Sequence, residues 1–220
     1  MKSQLGTTLI SLLIGLLIAM LCIIAVLSSY RTIVKTGVES RVAATHDTQL
    51  QTGLTTAQIF LQNAGFGLEG LNNLYLSPEA NIKVESQLVS ALLWRYKDGT
   101  NIICQGLADI ESSDSKKRRL VLLTSSPTTC NDSSDLSGFD WKIQTTLANL
   151  EDYSTNSSNP KQITFAEKTP PRVCTPFGAG NPKNESKHPL ITITAQTSTQ
   201  QSAGLGKAEV RVCLLNIILP

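Results

Sequence analysis

Between Leu9 and Leu27 the chain runs for nineteen residues in which only Ser11 is polar and only Gly15 is glycine. As a helix rising about 1.5 Å per residue, this run is roughly 28 Å long, close to the ~30 Å hydrocarbon core of a bilayer. A cleaved secretory signal has a shorter apolar core, about 7–15 residues, followed by a small-x-small cleavage site. Here the run is longer, and it passes without a break into "SSYRTIVKTGVESRVAATHDTQLQTGLTTAQIFLQNAGFG", with no proline before Pro78. The expectation is a membrane-spanning helix that carries on beyond the membrane.

The continuation keeps a helical rhythm. Val34, Val38, Val42, Leu50, Leu54 and Leu61 recur at spacings near multiples of four, with Ala57 and Ala64 on similar faces. Arg31, Lys35, Glu39, Arg41, Asp47 and Gln51 fill the gaps, and His46 is read as part of the polar side. The first stop signal is Gly65 in "NAGFG". These features predict one helix from Thr7 to Asn63, about 57 residues and roughly 85 Å long. Gly37 and Gly53 are its expected points of bending. A plain tether has no need of the amphipathic second half.

Only "MKSQLG" precedes the apolar run. A short polar leader ending in glycine, set directly against a hydrophobic segment, resembles the cleavage and methylation motif of type IV prepilins. The order of later elements is similar to PilW-type minor pilins: "SSYRT", the long helix closing in "FLQNAGFG", "LLWRYKDGT" with "CQG", and the last strand "AEVRVCLLNIILP". The resemblance implies a leader at 1–6, cleavage between Gly6 and Thr7, and N-methylation of Thr7. It further implies a helix at 7–64 and a β-rich globular domain at 65–220. The chain departs from the family in two places. Thr7 stands where major pilins usually carry Phe, and Ser11 stands at the fifth mature position, usually Glu. That glutamate is thought to pair with the amine of a neighbouring subunit, since an unpaired charge in an apolar medium is costly. Ser11 therefore implies either a priming or tip subunit, which needs no such partner, or a divergent pilin whose serine bonds back within its own helix.

Orientation draws on two signals. Lys2 lies on one side of the span and Arg31, Lys35 and Arg41 on the other, so the positive-inside count does not favour a cytoplasmic N-terminus. The short leader does, and so do the cysteines. Cys104, Cys130, Cys174 and Cys213 form an even set beyond the span, which reads as two disulfides in an oxidising compartment, whereas Cys22 lies inside the span as a small apolar residue. Three pairings are open, with Cys104–Cys130 and Cys174–Cys213 favoured. A four-thiolate zinc site is the alternative, but it lacks any close C-x-x-C pair.

From Phe66 onward the pattern is that of strands. Ser90–Tyr96 and Asn101–Gln105 flank an Asp98-Gly99 turn, a hairpin signal. Leu120–Thr124, Gln162–Ala166, the alternating "PLITITAQT" and "KAEVRVCLLNI" are further strands, with "STQQSAGLG" as the loop between the last two. Between Thr124 and Pro189, Pro127, Pro160, Pro170, Pro171, Pro176 and Pro182 point to extended loops. The expected fold is α+β and pilin-like: a long N-terminal helix packed on an antiparallel sheet with disulfide-bonded loops.

Nothing in the chain points to catalysis. His46 and His188 have no Cys, Asp or Glu at metal-ligand spacing, and there is no G-x-S-x-G, P-loop or H-E-x-x-H. Neither an enzyme nor a cofactor is expected. Trp94 and Trp141 read as core or loop anchors. The cluster Lys116, Lys117, Arg118 and Arg119 could meet DNA phosphates, but Asp109, Glu111 and Asp114 favour a solvated turn before a strand. The resemblance implies an inner-membrane protein with its C-terminal domain in the periplasm, which joins a pilus at the cell surface. Its implied partners are other minor and major pilins, the prepilin peptidase and the inner-membrane assembly platform. Motility, adhesion or DNA uptake would follow from the pilus. The competing readings are a type II secretion pseudopilin and a singly anchored periplasmic binding domain.

Overall fold

The structure, a computed structural model, describes residues 5–70, 72–114, 117–125, 130–154, 158–167, 174, 188–199 and 205–218, with side chains from Leu9 onward. Pro127, Pro170, Pro171, Pro176, Pro182, Lys116 and residues 200–204 of the last hairpin loop lie outside them. Helix α1 is a single α-helix of 57 residues, Leu5–Leu61. Among the described residues eight strands follow: β1 (Leu74–Val84), β2 (Gln87–Asp98), β3 (Asn101–Glu111), β4 (Lys117–Thr124), β5 (Lys142–Glu151), β6 (Ile163–Glu167), β7 (Leu190–Gln196) and β8 (Lys207–Cys213). The chain divides into two units, 1–45 and 46–220.

In the first unit every described side chain on α1 through Arg41 is exposed, including the large apolar ones. Val34, Val38 and Val42 are exposed as well. The buried stripe begins only at His46 and runs through Leu50, Leu54, Ala57 and Leu61.

In the second unit β1 to β5 form a five-stranded antiparallel meander, and β6 to β8 form a three-stranded antiparallel sheet. The stripe of α1 packs with Leu92, Trp94, Leu107, Leu120 and Leu122 of the larger sheet and with Ile163, Ile191, Ile193 and Val212 of the smaller one. The opposite face of the larger sheet covers a second core of Ala91, Leu93, Ala108, Ile110, Val121, Leu123 and Trp141. β2 is thus buried on both faces, which explains a sequence of near-continuous apolar residues where a half-exposed strand would alternate. Trp94 and Trp141 are both fully buried, one in each core.

Two glycines shape the helix seat. Gly65 has φ of 79°, which favours glycine, and its amide donates to the Arg95 carbonyl at 2.8 Å as the chain turns from helix to sheet. Gly53 does not break α1. A Cβ there would lie 2.8 Å from the Ala148 Cβ and 3.1 Å from the Leu147 carbonyl oxygen, so the glycine lets helix and β5 approach closely.

The four outer cysteines pair as Cys104–Cys130 and Cys174–Cys213, in place of the zinc alternative, and Cys22 is free. These bridges close loops spanning 26 and 39 residues, each contributing about 3 kcal/mol in the chain-entropy account.

Candidate functional site

Among the described residues the most extensive exposed apolar feature is the first half of α1. Leu9, Leu12, Leu16, Ile23 and Val26 are all more than half exposed, and a soluble protein rarely presents apolar surface of this extent. The helix is long and apolar enough to cross a membrane. Gly6 and Thr7 lie in its first turn, and Ser11 is exposed one turn further on. Ser11, Gly15, Ala19, Cys22, Ala25 and Ser29 recur at spacings of three or four and share one face. Sequence reading passed over this series because each member is unremarkable alone; its spacing was the available signal. In membranes such small residues let helix backbones approach closely. Beside the series, Ala25, Val26, Ser29, Tyr30 and Ile33 line a shallow apolar depression.

His46 corrects the reading of the polar face. It is buried, with its ring edge-on to Tyr153 at a centroid distance of 5.1 Å. The reason is its spacing: His46 stands four residues before Leu50 and so on the apolar stripe. Its Nδ1 lies 3.1 Å from Asp47 Oδ1. Asp47 in turn accepts the Ser198 amide at 2.8 Å and the Ser198 hydroxyl at 2.6 Å, tying the loop after β7 to the helix. Burial raises the Asp47 carboxyl, but the Ser198 hydrogen bonds and His46 outweigh it and hold the group below the ordinary range. His188 lies beside the C-terminal tail, with Nδ1 2.8 Å from the Ile217 carbonyl oxygen.

The three described residues of the basic cluster lie in a strand rather than in a solvated turn. Lys117, Arg118 and Arg119 are already part of β4, and Lys116 lies outside the described residues. Lys117 pairs with Glu151 at 2.8 Å. Arg118 turns inward, its Nε donating to Asp109 Oδ1 at 2.8 Å, with Glu111 at 3.3 Å. These partners engage the Lys117 and Arg118 charges that a phosphate contact would use.

A pocket of about 300 Å³ opens beside the disulfide-bonded loop, lined by Asn72, Leu74, Tyr75, Arg95 and Ser133 to Leu136. Arg95 is buried and donates to the carbonyls of Asn72, Asn131 and Ser134. Ser133, Ser134 and Asp135 bond within the loop itself. The pocket is therefore built around an arginine that holds a loop.

Comparison with protein-family models, with curated proteins and with solved structures finds no match for this chain. The geometry itself defines a single N-terminal apolar helix, a candidate membrane anchor, continuous with a disulfide-bonded α+β unit.

Proposed function

We propose that this chain is a minor pilin of the PilW type, a non-enzymatic subunit that waits in the inner membrane and then enters a type IV pilus. The reading rests on one observation: a short polar leader ends in Gly6 directly against a span-length apolar run, and that same uninterrupted helix continues into the β-rich unit. The two disulfides suit a periplasmic or extracellular domain. The small-residue face suits packing against other pilin helices, and the globular unit would select the partners.

The reading requires removal of Met1–Gly6 and methylation of Thr7. Intact-mass measurement on protein extracted from cells with an active prepilin peptidase is expected to show a mature chain beginning at a methylated Thr7. A chain that keeps Met1–Gly6 would instead identify a singly anchored periplasmic domain.

Ser11 supports a priming or tip position within this reading. Ser11→Glu is then expected to leave incorporation unchanged or reduced, because an unpaired charge at membrane depth costs about 2.5–3.5 kcal/mol on insertion scales. Quantifying the protein per sheared pilus is the check. Many copies along the shaft, rising with Ser11→Glu, would place it as an ordinary subunit.

A further inference from the structure

Arg31 and Lys35 follow the apolar run on its C-terminal side, where the positive-inside rule places few cations, and pilus assembly as proposed above gives them no task. On a helix they stand roughly 6 Å and 12 Å beyond Leu27. The headgroup layer begins at the hydrocarbon edge and is about 5–8 Å deep. Arg31 therefore falls at phosphate level, and the flexible stem of Lys35 can reach back towards it. The two cations are one turn apart and share a face. Tyr30, between Arg31 and the span, is 64% exposed and stands at the height where interfacial tyrosines collect.

Two further facts bear on this face. Among the described residues Arg31 has no ion-pair or side-chain hydrogen-bond partner, and Lys35 meets only Glu39, at 3.8 Å in an exposed pair. Such a pair holds its lysine weakly. The apolar depression at Ala25, Val26, Ser29, Tyr30 and Ile33 lies about 170° round the helix from the two cations. A neighbouring helix seated there would leave Arg31 and Lys35 turned towards lipid.

We propose that Arg31 and Lys35 form a headgroup-binding face for anionic phospholipid in the leaflet on the C-terminal side of the span. The inference rests on the membrane-spanning reading of Leu9–Leu27. Charge complementarity selects the occupant: an arginine fork and an ammonium, at phosphate depth, with a single partial counter-charge in Glu39. The face would concentrate anionic lipid around the waiting subunit, and a filament that draws the subunit out must break those contacts.

The test uses the full chain, labelled with a maleimide fluorophore at Cys22, the one free cysteine, and reconstituted in phosphatidylcholine vesicles. Energy transfer is compared between acceptor-labelled phosphatidylglycerol and acceptor-labelled phosphatidylcholine at equal mole fraction. At least about twofold enrichment of phosphatidylglycerol is expected near the label, falling in high salt. Arg31→Gln with Lys35→Gln is expected to abolish it, while Arg41→Gln, a further turn and a half along, keeps it. Equal transfer from both lipids in the unmodified chain would overturn the proposal. So would enrichment that survives the double substitution. A chain that fails to integrate into vesicles of either composition would overturn the spanning reading itself.

Discussion

Asp109→Ala is expected to destabilise the globular unit by about 3–5 kcal/mol, the cost of removing one partner from a buried ion pair. In a unit of this size that lowers the thermal midpoint by roughly 10 °C or more, read by circular dichroism on the detergent-solubilised chain. Asp109 is 1% exposed on β3, and its carboxylate serves two elements at once. Oδ1 accepts from Arg118 Nε on β4 at 2.8 Å. Oδ2 accepts the amides of Gln162 at 2.7 Å and Ile163 at 2.9 Å, at the start of β6. One side chain therefore clips the three-stranded sheet to the five-stranded one. Burial pushes the Asp109 carboxyl upward, against the pull of Arg118 and the two amides. Arg118→Met alone would leave a carboxylate with no cation beside it, whereas Asp109→Ala with Arg118→Met is expected to cost less than the two single changes summed. Hydrogen exchange should show β6 losing protection first in Asp109→Ala. A midpoint within 2 °C of the unmodified chain would show that the sheets are held by apolar packing alone.

That clip could not be read from the sequence. Asp109 and its β6 partners are 53 and 54 residues apart, and no local pattern marks them. Arg118 stands within a run of four cations, and charge in a sequence reads as solvent exposure unless a buried counter-charge is known. What was legible followed from strong local signals. The length of α1, the hairpin at Asp98-Gly99, the strands at Gln162–Ala166 and "PLITITAQT", and the favoured cysteine pairing all correspond to features of the structure. β1 was missed because its register shifts between Ser77 and Ile82, so Pro78 and Glu79 interrupt the pattern. β5 was missed for the opposite reason: only Ala148 and Leu150 in "KIQTTLANLE" are buried, too few to show alternation. His46 was misplaced because its polarity was weighed above its position, although helical spacing puts it on the same stripe as Leu50. The candidate span was legible because a bilayer imposes one length and one composition on whatever crosses it.

Leu54→Ala is expected to separate the two tasks of α1. Leu54 is fully buried between the sheets, one residue after the glycine that lets the helix settle against β5. Truncation removes its transfer free energy and leaves a cavity, since Leu50, Ala57 and Leu61 are fixed on the same rigid stripe. The cost is about 3–4 kcal/mol, a fall of roughly 10 °C in the thermal midpoint. Ile59→Ala, on the same helix but 60% exposed, is expected to stay within about 0.5 kcal/mol of the unmodified chain. If the chain is the pilin proposed above, membrane recovery and processing at Gly6 should be unchanged in both, because that proposal assigns them to Leu9–Leu27 and the residues before it. Loss of membrane recovery in Leu54→Ala with an unchanged midpoint would mean that the second half of the helix serves insertion and not the fold. The expected result, a weakened domain with unchanged membrane recovery, follows from a helix whose second half is buried in a core and whose exposed apolar first half is a candidate membrane anchor.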